Sequence, residues 1–176
     1  MSERNHATNR KTKTPAVAFQ PVKPAVKRGL ESSAHQLDEQ TRGYFEQHFG
    51  QDFGNVRIHS DSQAAKSADA LNAQAYTSGS DIVFNAGGYE PGTSKGRTLL
   101  AHELAHVAQQ LTGARTDRGF KLSSPESVAE RAAEVSAQRV IAGLPAPASV
   151  AAPPGVIHRT IKDDLRKAIE GWGTDE

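Results

Sequence analysis

Three residues with the spacing of a metal site stand in the middle of the chain, in the sequence A-H-E-L-A-H-V-A-Q-Q (residues 101–110). His102 and His106 are four positions apart, so on a helix both imidazoles lie on one side and can share a metal ion. Glu103 lies beside them, where its carboxylate can take a proton from an activated water. The pattern predicts zinc bound by the two histidines and Glu103 as the catalytic base of a hydrolase.

The residues around this motif favour a helix that packs on one side. Gly92 to Ser94 provide a turn before it, and Gly113 provides a stop after it. Apolar residues recur at three- and four-residue spacing and predict a core face made of Leu100, Leu104, Val107 and Leu111. The alternative interpretation is a pair of helix-packing histidines with Glu103 as a solvated charge.

A catalytic zinc ion needs a third protein ligand, with water in the fourth position. No third histidine follows at the six-residue interval after His106. A later helix, predicted over residues 124–140, carries three glutamates four positions apart. We predict Glu130 as the ligand and Glu134 as a hydrogen-bond partner of a ligand histidine, with Glu126 as the alternative ligand. The competing interpretation is a solvated acidic stripe.

Length and composition narrow the class of protein. The 176 residues suggest one domain plus appendages, and 21 basic against 20 acidic residues give no overall electrostatic partner. The sequence has no apolar run long enough for a transmembrane helix, and no secretory signal is predicted at the N-terminus. Cysteine is absent, so a metal must be bound by histidines and carboxylates.

The first part of the chain, residues 1–30, is predicted to be a disordered basic leader, because it holds few large apolar residues. Its charge suggests an address or docking peptide for an acidic partner. Nucleic acid is not expected as a partner, because Phe19 is its one aromatic residue.

Residues 31–143 are predicted to be the globular domain, with an α+β, mostly helical fold. The predicted order is helix, strand, helix, strand, helix, helix. The strands are placed at residues 56–59 and 81–84, and the helix between them is predicted from Asp61 to Ala75.

Four stretches of the domain follow one another in an order that carries a family resemblance. They read F-G-Q-D-F-G-N-V-R-I-H-S-D, A-Y-T-S-G-S-D-I-V-F, G-Y-E-P-G-T-S-K-G-R-T-L-L-A-H-E-L-A-H-V-A-Q-Q and E-R-A-A-E-V-S-A-Q-R-V. They resemble the small H-E-x-x-H domain of proteins associated with bacterial extracellular contractile injection systems. That family is similar to the gluzincin peptidases. The resemblance therefore implies a minimal zincin-like metallopeptidase domain with short strands, two metal-bearing helices, and zinc held by two histidines and a glutamate.

The last of these stretches departs from the family pattern. The family usually reads E-x-E-A-D where this chain has E-R-A-A-E at residues 130–134. If the middle glutamate were the family's ligand, Ala132 would abolish the site. The outer pair, Glu130 and Glu134, keeps the gluzincin spacing, which favours Glu130.

The resemblance also implies a biological setting. It suggests a cargo or cargo-processing module, made in the bacterial cytoplasm and exported inside an injection particle, whose leader contacts the tube or loading factors. The expected substrate is a peptide bond in its own parent chain or in a partner protein. His59 and Tyr89 flank the motif in sequence and are suggested as oxyanion donors.

The chain changes character after the predicted domain. Residues 144–159 are predicted to be an Ala/Pro-rich linker, which is either a plain spacer or the place of a cut, because an extended backbone can add as a strand to a peptidase edge. Residues 160–176 are similar to the opening of an annexin repeat, which implies calcium bound by the loop of Gly171 and Gly173 at a membrane surface. The match stops at Glu176, so we expect the chain to be part of a longer protein.

Two functions of a different class compete with the peptidase. The domain could be a non-catalytic packaging adaptor with a structural or vestigial metal site, or a passenger for an annexin-like, calcium-dependent membrane-binding effector. Glu103 separates these interpretations, since a purely structural zinc site needs no base beside it.

Overall fold

The structure, a computed structural model, describes residues 22–111, 121–122, 124, 127–148 and 156–161. The helices are α1 (Val22–Leu30), α2 (Glu39–Phe49), α3 (Ser62–Ala70), α4 (Ser94–Leu111) and α5 (Val128–Ile141). The strands are β1 (Ala34–His35), β2 (Arg57–His59), β3 (Ala73–Ser78), β4 (Asp81–Phe84), β5 (Lys121–Leu122) and β6 (Val156–Ile161). The predicted α+β class is confirmed. None of the described helices is long and apolar enough to cross a membrane.

The strands form one mixed sheet in the order β1-β2-β4-β3-β6-β5. The central strand β3 pairs antiparallel with β4 on one side and with β6 on the other. Thr77 of β3 is the partner of Ile82 in β4 and of His158 in β6. Because side chains alternate along a strand, these three residues face the same side of the sheet.

Two apolar clusters cover the two faces of the sheet. Between the sheet and α4, the first cluster includes Ile58, Ala75, Ile82, Phe84, Leu99, Leu100 and Leu104. On the other face, the second cluster joins α1 and α3 to the sheet and includes Val26, Ala64, Ala68, Tyr76, Val83 and Ile157. Helix α4 is therefore held by a buried core face, as predicted. One predicted core residue differs, since Leu111 at the end of α4 is 50% exposed.

The predicted helix from Asp61 to Ala75 is too long. Helix α3 ends at Ala70, Asn72 turns the chain with a φ of 51°, and β3 begins at Ala73. The small residues Ala73 and Ala75 are compatible with a helix, and they are equally compatible with a strand whose inner positions are crowded. Pairing with a strand on each side decides in favour of the strand.

The N-terminal boundary also differs from the prediction. Part of the predicted leader forms α1, and Val26 in this helix is fully buried in the second cluster. The rest of the predicted leader, residues 1–21, lies outside the described residues.

A third difference concerns the predicted linker. Residues 156–161 form β6, a six-residue strand between β3 and β5. Its sequence V-I-H-R-T-I is rich in β-branched residues, which favour a strand. The fold therefore has more sheet than the mostly helical prediction, and its sheet extends beyond the predicted end of the domain. The annexin-like stretch after residue 161, including Gly171 and Gly173, lies outside the described residues.

Two glycines make a matched test of how α1 docks. A Cβ on Gly29 of α1 would overlap the hydroxyls of Tyr76 and Ser67, whereas a Cβ on Gly43 of α2 would meet nothing within 4 Å. Gly29→Ala should therefore lower the free energy of unfolding by about 1–3 kcal/mol through overpacking. Gly43→Ala should raise it by about 0.5–1 kcal/mol through helix propensity. Urea denaturation measures both, and a neutral Gly29→Ala would contradict the described docking of α1.

The ion pair at the start of β4 predicts a pH dependence of stability. Asp81 lies 2.8 Å from His59 Nε2 and 2.7 Å from Arg57 Nη2. Burial alone would raise the pKa of Asp81, but hydrogen bonds from His59 and Arg57 bring the pKa below its ordinary value of 3.8. This stabilisation is complete above the unfolded-state pKa and is lost as the pH falls through the folded-state pKa.

Asp81→Asn should therefore flatten the loss of stability below about pH 4. Urea midpoints of the wild type and the variant between pH 3 and pH 7 measure this. Superimposable profiles would show that the carboxylate contributes nothing to acid sensitivity.

Candidate metal centre

Helix α4 brings the two motif histidines together at its buried face. His102 and His106 lie one turn apart, and their Nε2 atoms are 3.0 Å from each other. His106 is fully buried and His102 nearly so. Both imidazoles therefore present one nitrogen to the same point, away from bulk water.

Helix α5 packs on α4 and supplies a carboxylate at that point. The helix begins after Ser127, whose side chain caps the backbone N–H of Glu130 at 3.2 Å. Glu130 Oε2 lies 3.3 Å from His102 Nε2 and 3.1 Å from His106 Nε2. The structure thus places the predicted third ligand with the two histidines.

These three atoms lie near, and slightly inside, the spacing of ligands around a tetrahedral ion. In zinc sites the ligand atoms lie about 2.0–2.2 Å from the metal, which puts two ligands of a tetrahedron roughly 3.3–3.5 Å apart. The nitrogen and oxygen atoms of His102, His106 and Glu130 are separated by 3.0–3.3 Å. Among the described residues, these three side chains form a group that could hold a metal ion.

The outer nitrogen of each histidine has a partner that fixes the ring. His106 Nδ1 lies 2.9 Å from Gln109 Oε1, and Gln109 Nε2 donates to the carbonyl of Ala129 at 2.8 Å. His102 Nδ1 lies 3.4 Å from Glu134 Oε2, which is the role predicted for Glu134. Donation from Nδ1 leaves the Nε2 lone pair free for a metal, which is how protein sites orient ligand histidines.

A third histidine reaches the cluster from strand β6. His158 Nδ1 lies 3.2 Å from Glu130 Oε1, and its ring stacks on the ring of His106 with centroids 4.2 Å apart. Its Nε2 is buried and has no hydrogen-bond partner among the described residues. Strand β6 therefore covers the ligands with a polar ring.

The proposed base is held from the sheet. Both oxygens of Glu103 accept hydrogen bonds from threonine hydroxyls, at 2.7 Å from Thr77 on β3 and at 2.8 Å from Thr160 on β6. The side chain has no exposure to solvent. Two strands thus fix the direction of this carboxylate beside the metal ligands.

Burial and neighbouring charged groups shift the pKa values of these side chains in different directions. Burial raises the pKa of Glu103. Burial also lowers the pKa of His106, to about 4. For Glu130 burial acts to raise the pKa, but hydrogen bonds with His102 and His106 outweigh it and hold the pKa well below its usual range. Glu130 is therefore an anion in the folded chain, as a metal ligand must be.

The surroundings of His102 favour a positive charge on its ring. Burial would lower its pKa, but hydrogen bonds with Glu130 and Glu134 raise the pKa to about 10. A cation at this point is thus already stabilised by two carboxylates.

The two suggested oxyanion donors lie elsewhere. His59 pairs in register with Val83, which faces α1 and α3, so its side chain lies on the opposite face of the sheet from α4. It contacts Asp81 and Ser32. Tyr89 packs against the rings of His35 and Phe84. The structure does not bring either residue to the metal ligands by these contacts, and Glu126, the alternative ligand, lies outside the described residues.

Four residues that contact His106, Glu130 or Glu103 were not predicted from the sequence: Gln109, Thr77, His158 and Thr160. Gln109 stands three positions after His106, on the same helix face, and could have been found from that spacing. The alternation in V-I-H-R-T-I places His158 and Thr160 on one face of a strand, which was a usable signal. Thr77 had no local signal, because the strand that carries it was predicted as helix or turn.

Matched substitutions in α5 separate the ligand from its neighbour. Glu130→Gln should weaken zinc binding by at least about 100-fold, because it replaces a ligand carboxylate with a neutral amide. Glu134→Gln should weaken it by about tenfold, because it alters only the partner of His102. Competition with a chromophoric chelator measures both, and Glu39→Gln on exposed α2 is the control. A larger loss in Glu134→Gln than in Glu130→Gln would reassign the ligand.

One family model is similar to a stretch of the chain that carries part of this site. The family model described as the eCIS core domain matches residues 36–114, which begin directly after β1, contain α2 to α4 and include His102, Glu103 and His106. Glu130 and β6 lie beyond the match. No curated protein and no solved structure matches the chain. Residues 36–114 are therefore similar to a core domain linked to extracellular contractile injection systems, in agreement with the resemblance seen in the sequence.

Proposed function

We propose that this domain is a gluzincin-like zinc metallopeptidase in a cargo or toxin protein of a contractile injection system. The observation that carries the proposal is the convergence of Glu130, from a separate helix, on the Nε2 atoms of His102 and His106. A carboxylate and two imidazoles, with an open fourth position, are the ligand set of zinc peptidases. The link to injection systems gives the setting and not the activity.

The chain's own residues would divide the work as follows. Zinc, when bound, would polarise the scissile carbonyl and lower the pKa of its water. Glu103 would take the proton of the attacking water and return it to the leaving amine. Thr77 and Thr160 would hold the two oxygens of Glu103 in that direction. Gln109 and Glu134 would keep the ligand histidines in the tautomer that leaves Nε2 free.

The substrate we propose is a peptide bond in the parent chain or in a partner protein. An extended peptide binds to a peptidase by pairing with the edge of a sheet. Strand β3 lies beside α4, and the substrate would pair with the side of β3 that β6 occupies in the structure. The leader would serve recognition by the injection tube or its loading factors, and a calcium-dependent membrane role would belong to the annexin-like stretch.

A second candidate function is a non-catalytic adaptor whose metal site is structural. The observation that favours it is the burial of the site: Glu103 and His106 are fully buried, and the ring of His158 stacks over His106. A site closed to water cannot hydrolyse a peptide while it stays closed. The two functions differ in whether Glu103 is needed for anything besides folding.

Glu103→Gln tests the proposal, since it keeps the shape of the side chain and removes its basicity. We expect the zinc-loaded wild type to cut itself or an added mixture of unstructured peptides, and Glu103→Gln to lose at least about 100-fold of that rate. Mass spectrometry of the intact chain and of the peptides detects the cuts. Glu39→Gln, the same change at an exposed position on α2, should retain the wild-type rate.

One combination of results would contradict the proposed peptidase activity. If zinc binds with the expected ligands but wild type and Glu103→Gln leave all peptides and the chain whole, the adaptor function is the better account. Equal cleavage by both proteins would show a contaminating protease or a different base.

A further inference from the structure

Strand β6 occupies the edge of the sheet that a peptide would need. It pairs antiparallel with β3 from Ala73 to Thr77. Strand β4 pairs with the other side of β3, so β6 leaves β3 without a free edge. A second extended peptide cannot pair with β3 until β6 leaves.

The side chains of β6 that face α4 contact both the proposed metal ligands and the proposed base. His158 lies 3.2 Å from the ligand Glu130 and stacks on the ligand His106. Thr160 donates to the base Glu103 at 2.8 Å. Side chains, not a peptide carbonyl, therefore meet the cluster from β6, whose backbone pairs with β3 in the plane of the sheet. A strand in this position blocks the site without offering a bond to cut.

We propose that β6 is a tethered pseudo-substrate, which fills the peptide-binding edge of β3 in cis and keeps the site latent until it is displaced. This inference rests on the proposed peptidase function and adds its regulation. It explains how a site with the ligands of a peptidase can be closed to water, and it assigns the closing contact to His158. The ligand that replaces β6 would be another extended peptide.

The attachment of β6 is compatible with release. Its partner on the outer side, β5, pairs with it over two residues. Before β6, residues 144–148 have no regular secondary structure, and Leu144 is 47% exposed. On the face away from α4, β6 is held by Ile157 in the second cluster and by Arg159, which donates to the carbonyl of Leu71 at 2.8 Å. Release would thus break the pairing with β3, the two-residue pairing with β5, the apolar contact of Ile157 and the hydrogen bond of Arg159. It would also break the contacts of His158 and Thr160 with Glu130 and Glu103.

A reversible disulfide between β3 and β6 tests this proposal in one protein. We call the displaceable strand β6 the latch. The chain has no cysteine, so a double variant, Ala73→Cys with Ile161→Cys, has one pair that can form a disulfide. These residues are direct partners across β3 and β6, and antiparallel partners have the Cα separation that a disulfide needs. Neither residue contacts a metal ligand in the described hydrogen bonds. The oxidised form holds β6 in place, and the reduced form of the same protein is its matched control.

Two readouts need no catalysis. The first is the rate at which a chelator removes zinc from the loaded protein. The second is binding of a fluorescent peptide with the sequence V-I-H-R-T-I, measured by anisotropy. We expect the reduced form to lose zinc at least about tenfold faster than the oxidised form, and only the reduced form to bind the peptide, because the latch opens as a minor state. Equal zinc release, with no peptide binding in either form, would overturn the latch.

Cleavage of added peptides then separates the two proposals. If oxidation slows zinc release and abolishes peptide binding but neither form cuts any peptide, the latch stands and the peptidase falls. If both forms cut peptides at the same rate, the peptidase stands and the latch falls.

His158→Ala provides a second, independent variant. As the closing contact, its removal should speed zinc release and raise the affinity for the added peptide, each by about tenfold. If the variant instead binds zinc more weakly at equilibrium and gains no peptide binding, His158 only positions Glu130, and the latch is overturned.

Discussion

A buried carboxylate that needs cationic or donor partners organises this domain. Glu130 is 7% exposed, and an isolated anion at that depth would be too costly to keep. His102 and His106 from α4 and His158 from β6 surround it. The packing of α5 on α4 and the pairing of β6 with β3 are therefore tied to one charge. A bound cation fits the same need, since the ligand atoms already lie at the spacing of a tetrahedral site.

The sequence was sufficient to predict the site residues that lie close together on one helix. His102, Glu103 and His106 lie within one turn or so of α4, and Glu130 with Glu134 lies within one turn of α5, so 3.6-residue periodicity reveals their faces. Glu130 was predicted as the third ligand, with Glu126 as the alternative, from the glutamate spacing and the gluzincin resemblance, and the structure places Glu130 with the histidines. The helix and strand order from α2 to α5 followed from the same periodicity and from turn residues, apart from β3 and the two-residue strand β5.

The sequence was insufficient to predict the site residues whose neighbours are determined by strand pairing. Thr77 and Thr160 hold Glu103 from positions 26 and 57 residues away. No local pattern specifies such pairings, because they depend on register between strands. The same dependence explains the suggestion of His59, which is near the motif in sequence order but faces α1 and α3. It also explains the linker prediction for residues 144–159, since Ala and Pro before β6 obscured a strand that needs β3 to form.

The family match and the metal site overlap without coinciding. The eCIS core match ends at residue 114, whereas the third ligand and the covering strand come from later residues. The complete site therefore requires elements from both sides of that boundary. X-ray absorption at the zinc edge of the loaded wild-type chain tests this ligand set most directly. We expect one zinc per chain, coordinated by two imidazole nitrogens and by oxygen, with one imidazole lost in His106→Ala. Zinc that dialyses away, or a shell with three or more imidazoles, would contradict it.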